Sequence, residues 1–434
     1  MFELNRRLFV LSAASALFAP QVSSASQFVL RAEPSSLQIL PEGEAETALL
    51  GFNGSTPGPE LRVPKGKEVA VRFENALDIP TAVHWHGIRL NNAMDGVPGL
   101  TQRLVQPGES FDYVFTPPDA GTFWYHAHHQ SWEQVAKGLY GPLIVEDEAN
   151  PDLDHDITVV LDDWRINEAG ELMGGFGNMH DFAHAGRLGN NAMVLPSRNT
   201  VKLGDRVRIR IINTATARVF PLRLEGLKGR IVAFDGTALG TPRAFEDLQI
   251  APAQRVDLIG DVTSKVSFLF VGRDALYDLG SLDIDGDNPN RKSSPIAPLN
   301  ETHAHTPSRK PSQSLTLRME GGAMGGGHAG SDIWAFNGTS GMPEKPWATF
   351  RKGESAEIDL VNDTSFPHGI HLHGHHFFEL KEDGSLGDRR DTTLVPRGAS
   401  QKIAVVFDNP GKWLLHCHML GHQASGMKTW VEVT

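Results

Sequence analysis

Glu68-Val69-Ala70-Val71-Arg72-Phe73 and Arg206-Val207-Arg208-Ile209-Arg210-Ile211 each alternate polar and apolar residues. A period of two is the mark of a half-buried strand. Both stretches lie between a Gly and an Asn nine residues apart, with a paired position nine beyond the Asn: Gly66…Asn75…His84 and Gly204…Asn213…Leu222. A third copy is Gly353…Asn362…His371. The first and third copies also share an upstream phrase, Phe52-Asn53-Gly54-Ser55 against Phe336-Asn337-Gly338-Thr339. A second match between them runs at an offset of 290, pairing Gly108 with Gly398, Gly121 with Gly411, His126 with His416 and His128 with His418. Three like units therefore make up the chain. Short alternating runs with 44 Gly and 27 Pro among 434 residues argue that each unit is an all-β sandwich.

The length suits about two to four domains. The expected division is 26–148, 149–305 and 306–434, with boundaries near Glu148 to Asp154 and in the polar stretch Asp283 to Pro311, which reads as a linker. Gly321 to Gly330 reads as a second flexible piece. Arg6 and Arg7 precede an apolar run from Leu8 to Phe18, followed by Pro20 and Ser23-Ser24-Ala25-Ser26. That is the order of an export signal over residues 1–25. Asn5-Arg6-Arg7-Leu8-Phe9 resembles a twin-arginine signal, the alternative being an ordinary signal with two charges. The apolar run is too short to span a bilayer, so a soluble, periplasmic mature protein is expected, exported by the twin-arginine machinery. A net charge of −12 argues against nucleic acid or an anionic membrane as partner.

Histidine and cysteine carry the chemistry. There are 19 histidines and one cysteine, so no intramolecular disulfide forms. Four clusters stand out: His84-Trp85-His86, His126-Ala127-His128, His368-Gly369-Ile370-His371-Leu372-His373, and His416-Cys417-His418 followed by His422 and Met427. On a strand, residues i and i+2 share a face and i+1 points away. Each His-x-His pair then presents two imidazoles to one side, and Cys417 points opposite to His416 and His418. A thiolate, two histidines and a methionine form the ligand set of a blue-copper centre, here Cys417, His368, His422 and Met427. The remaining paired residues, His84, His86, His126, His128, His371, His373, His416 and His418, exceed what one copper can use. They suit a cluster of coppers between the first and third units. The middle unit has Leu222 and Leu224 at the paired position and reads as a scaffold without copper.

These four clusters, in this order, resemble the copper-binding signatures of the multicopper oxidases, a family that includes laccases and bacterial cuprous oxidases. The resemblance covers nearly all of the expected mature chain and implies three consecutive cupredoxin-like Greek-key β-sandwich domains. It implies four coppers: type 1 on the blue set, type 2 on His84 and His371, and a type 3 pair on His86, His126, His128, His373, His416 and His418. It further implies one-electron oxidation of a phenolic or aromatic donor or Cu(I), coupled to reduction of O₂ to water. A copper-binding or copper-resistance protein with little turnover is the alternative. Copper nitrite reductase is disfavoured, since it needs no histidine-rich cluster.

Several residues keep two readings. Asp95 resembles the acidic residue near the cluster in family members and could relay protons, or it is a turn aspartate before Gly96. Gln423 stands where some bacterial members carry a glutamate, and it cannot titrate. Met427 is an axial ligand or a core filler. Met173, Met179, His180 and His184, like Met319, Met324 and His328, either recruit Cu(I) or are incidental to glycine-rich loops. His129, His375 and His376 either support the ligands from behind or are structural, and none is expected to bind metal itself.

Overall fold

The computed structural model describes residues 26–147, 151–289, 291, 294–300, 305–308, 310–323 and 333–434. The expected export signal, Met324 and His328 lie outside them. The regular secondary structure of the described residues is almost entirely strand, with a few short helical turns. No helix among the described residues is long and apolar enough to cross a membrane.

The first unit packs two four-stranded sheets. One runs Thr47–Phe52, Ser26–Leu37, Val69–Asn75, Ser110–Phe115; the other runs Leu61–Pro64, Tyr140–Glu146, Gly121–Ala127, Val83–His86. The alternation in Val69–Asn75 turns Val69, Val71 and Phe73 into the core. The third unit has the same pairings in its own numbers. Gln313–Gly321 lies parallel to Glu354–Asn362, and His368–Leu372 lies antiparallel to Gly411–Cys417. The middle unit joins nine strands in one sheet. Its two longest, Phe220–Phe234 and Arg255–Val271, pair with register shifts after Glu225 and Ile231, which bend a strand and let it serve both layers.

The recurring Gly and Asn have physical reasons. Gly66, Gly204 and Gly353 hold φ of 70°, 86° and 89°, a region costly for residues with a Cβ. Asn75, Asn213 and Asn362 are buried, and each donates from Nδ2 to two or more backbone carbonyls, one in the segment just after it and one farther along the chain. Asn75 reaches Ile79 and Val105, Asn213 reaches Arg218 and Ile250, and Asn362 reaches Phe366 and Val395, at 2.8–3.1 Å. Each Oδ1 also accepts an N–H two residues on, an Asx turn. The side chain therefore closes the strand end in all three units.

The apolar cores divide unevenly. One contiguous core joins the first and third units, from Leu30 to Val433. The middle unit keeps its own, which contains Leu222 and Leu224. Two expectations need correction. The linker does not begin at Asp283, because the strand Leu276–Asp287 continues through it and pairs with Thr200–Leu203. Met319 is not a loop residue open to metal; it is fully buried on Gln313–Gly321, where a thioether serves as apolar filler.

Candidate metal centre

Eight buried imidazoles meet where the first and third units face each other. His84 and His86 lie on Val83–His86; His126 is the penultimate residue of Gly121–Ala127 and His128 follows that strand; in the third unit His371 lies on His368–Leu372 and His416 on Gly411–Cys417, with His373 and His418 just beyond them. Register sets His84 opposite His126 and His371 opposite His416. The rings interleave across the units: His84 stacks on His373 at 3.9 Å and His86 on His371 at 3.8 Å. Donor atoms converge in three triads, His84/His86/His371, His86/His126/His418 and His128/His373/His416, each with its atoms within 4.8 Å of one another.

The nitrogens can be accounted for one by one. His84, His126, His371 and His416 place Nδ1 against a backbone carbonyl, those of Asp95, Ala127, Asp391 and Cys417, at 2.7–3.0 Å. A carbonyl only accepts, so Nδ1 carries the proton and Nε2 holds the lone pair. His373 turns Nδ1 to Asp95 Oδ2 at 2.9 Å. His86 is reversed: Nε2 faces Asp391 Oδ1 at 3.2 Å, leaving Nδ1 bare. His84 Nε2, His126 Nε2, His371 Nε2 and both nitrogens of His418 are buried and unpartnered.

Each orphaned polar atom costs about 1–3 kcal/mol, and such atoms are rare enough to require an explanation. A metal cluster supplies it, since ligating histidines bond outward through one nitrogen and to metal through the other. Burial, reinforced by neighbouring imidazoles, holds His126, His128, His371, His373 and His418 well below the usual imidazole range, and burial takes His86 and His416 down to about 3. These rings are neutral at pH 7, with lone pairs available. The residues present fit copper.

The second centre lies on the other face of Gly411–Cys417. Cys417 Sγ is 3.5 Å from His368 Nδ1 and 3.7 Å from His422 Nδ1, and the two nitrogens are 3.1 Å apart. All three residues are fully buried. Burial pushes the Cys417 thiol up to about 12, so a bound cation is needed to favour the thiolate. Met427 is buried beside it and accepts the Cys417 N–H on its carbonyl at 3.1 Å. His375 packs against Trp413 and Phe407, and its Nδ1 donates to the His373 carbonyl at 3.2 Å.

Asp95 is buried between the units. Its carbonyl serves His84 and its Oδ2 serves His373, while Oδ1 makes no hydrogen bond. Burial raises its carboxyl above the usual range, and His84 opposes the shift. Gly96 follows at φ +81°, and a Cβ there would lie 1.8 Å from the Val83 carbonyl oxygen and 2.9 Å from His84 Cα. Gly96→Ala is therefore expected to cost about 2–5 kcal/mol, from backbone strain plus overpacking. Denaturant midpoints at unchanged slope measure this, and a loss below about 0.5 kcal/mol, the usual bound for neutral surface changes, contradicts the steric account.

Several contributors carried no sequence signal. Met419 Sδ lies 3.7 Å from Cys417 Sγ and accepts the Gly369 N–H. Trp124 packs on His126, His86 and His418, with centroids 4.4, 5.3 and 5.6 Å away. The middle unit covers the cysteine site: His422 Nε2 donates to the His184 carbonyl at 2.6 Å, and Trp334 donates to that of Phe182. Asp391, Thr392 and Arg255 are likewise isolated in sequence from the histidines they adjoin.

A cysteine–imidazole site on the opposite face of the strand from a pocket of eight buried imidazoles defines a copper electron-transfer protein with a second, multinuclear copper centre. Three family models described as multicopper oxidase match residues 35–150, 145–271 and 308–434. Multicopper oxidase MmcO of Mycobacterium tuberculosis is 32% identical over 88% of this chain and 82% of its own. Copper resistance protein A of Pseudomonas syringae pv. tomato is 27% identical over 97% of this chain and 95% of its own. Among solved structures, Lac15 from a marine microbial metagenome is 50% identical, with TM-score 0.82, covering 94% of this chain and 100% of its own. The multi-copper oxidase from Pseudomonas Thermotolerans is 32% identical with TM-score 0.85, covering 95% and 100%. The chain belongs to the multicopper oxidase family, with three consecutive cupredoxin-like domains. It is a copper-dependent, laccase-like oxidoreductase that binds four coppers and couples oxidation of a donor to reduction of O₂.

Proposed function

We propose that His368, Cys417, His422 and Met427 hold the type 1 copper, and His84 and His371 the type 2 copper. His86, His126 and His418 hold one member of the type 3 pair, and His128, His373 and His416 hold the other. The observation that carries this reading is the set of buried, unpartnered imidazole nitrogens converging in triads. Bound copper supplies the one-electron redox capacity at both centres, four electrons being required for O₂ to become water. Cys417 joins the centres covalently, since its side chain faces one and its neighbours His416 and His418 face the other. Asp95 orients His84 and His373 and holds a transferable proton at Oδ1. Gln423 cannot share that task.

The donor is a one-electron reductant, phenolic or Cu(I), that works across a covered site. His422 is buried behind the His184 carbonyl, so the surface a donor meets is the middle unit's Met179–Ala183 turn. Met179 and His180 are exposed there and Met173 is exposed in the segment before it, and thioether and imidazole favour Cu(I) among such donors. Export to the periplasm by the twin-arginine route belongs to the same reading and rests on residues 1–25. Metal analysis and O₂ uptake test it. Four coppers per chain and O₂ consumption with Cu(I) or a substituted phenol are expected. Fewer than four coppers overturns the ligand assignment, and full copper without O₂ uptake favours a protein that only holds copper.

A further inference from the structure

Among the described residues, the middle unit brings no histidine to the cluster, yet one of its side chains reaches the cluster's outer wall. Arg255 is fully buried at the start of Arg255–Val271. Its guanidinium grips Asp391 of the third unit with two parallel bonds, Nη1 to Oδ1 at 2.9 Å and Nη2 to Oδ2 at 2.5 Å. Nε donates to the carbonyl of Thr122 in the first unit at 3.1 Å, and Nη1 also donates to Ala253 O at 3.0 Å. One side chain therefore ties all three units together.

Asp391 is the partner that decides which nitrogens face the cluster. Its Oδ1 meets His86 Nε2 at 3.2 Å, and its carbonyl accepts from His371 Nδ1 at 2.8 Å. Thr392 Oγ1 closes the group, donating to Asp391 Oδ1 at 2.8 Å. The space is full: a Cβ on Gly87 would lie 2.5 Å from Asp391 Oδ2 and 2.6 Å from Arg255 Nη2. His86 is reversed relative to His84, His126, His371 and His416, and the carboxylate that reverses it has its plane set by the guanidinium fork. Buried ion pairs add little net stability, so stability alone does not account for placing one here. A planar bidentate fork does fix carboxylate orientation, and a lysine cannot reproduce it.

We infer that Arg255 is a positioning residue for the copper-binding histidines, through which the middle unit sets, by way of Asp391, the nitrogens that His86 and His371 turn to metal. The inference rests on the ligand assignment proposed above. The test uses the full copper-loaded chain, comparing Arg255→Gln and Arg255→Lys with the parent. Arg255→Gln is expected to weaken copper retention at the cluster about 10–100-fold in competition with a chelator. It should also alter the paramagnetic resonance of the type 2 copper, while the blue absorption of the remote type 1 site stays at the parent's intensity. Arg255→Lys is expected to fall between the two. Parent-like retention and resonance in Arg255→Gln overturn the inference. Parallel loss of the blue absorption and the cluster signals also overturns it, since that marks general damage. If Arg255→Gln does not accumulate folded, Asp391→Asn carries the comparison: the same selective loss is expected, and parent-like retention overturns the inference. A parent chain that itself fails to bind four coppers points to the ligand assignment instead.

Discussion

Cys417→Ser is expected to remove the intense visible colour of the copper-loaded protein and to end turnover while the chain stays folded. The exchange replaces one γ atom in a fully buried side chain, so the packing around it changes little. A buried hydroxyl without a good partner costs about 1–3 kcal/mol, which unfolding measurements should register as a modest loss. The chemical effect is much larger. Sulfur is the soft, anionic ligand that defines a blue site, and serine oxygen is neither soft nor readily ionised. The route from the donor side to His416 and His418 also loses its first atom. A fall in turnover of at least about a thousandfold is expected, equivalent to about 4 kcal/mol in the barrier. The eight imidazoles of the other centre are untouched, so metal analysis should find three coppers per chain. A variant that stays blue shows that Cys417 is not the sulfur ligand.

His84→Ala separates the two halves of the electron path. His84 lies in the triad with His86 and His371 and stacks on His373, whereas His368, Cys417 and His422 form a separate group. Its loss leaves the blue colour intact and leaves reductant able to bleach it. Recolouring by O₂ should slow about 100-fold or more, because removing a ring also loosens the neighbouring ligands that pack against it. Steady-state O₂ uptake should fall with it. Stopped-flow absorbance in the visible band resolves the two phases. Normal recolouring in the variant contradicts the division of the histidines between two centres.

Much of this was legible before any coordinates because it follows from local rules. Period-two alternation defined the strands, and the same period placed Cys417 opposite His416 and His418. The Gly and Asn that recur in three copies mark strand ends whose backbone geometry and carbonyl capping demand those residues. As a set of spaced pairs with Cys417 and Met427 at matching offsets, the histidine clusters outweigh the reading as ordinary surface or core histidines. Other features were ambiguous because one residue type serves two purposes. Met319 and Met179 have the same side chain, yet one fills a core and the other is exposed.

What only the tertiary structure decided is how distant groups combine. Six histidines expected to serve a metal pair separate into two triads, each drawing on both outer units, and no spacing rule predicts that partition. The nitrogen that each ring offers depends on which acceptor lies behind it, and Asp391 stands 305 residues from His86. In sequence the middle unit, lacking paired histidines, reads as a bare scaffold, yet it places Arg255 beneath the cluster and the His184 carbonyl over the cysteine site. Sequence periodicity reports which way a side chain points from its own strand. The partner it meets there is set by how the units pack, and hydrogen-bond direction, burial and charge pairing take effect only once that packing exists.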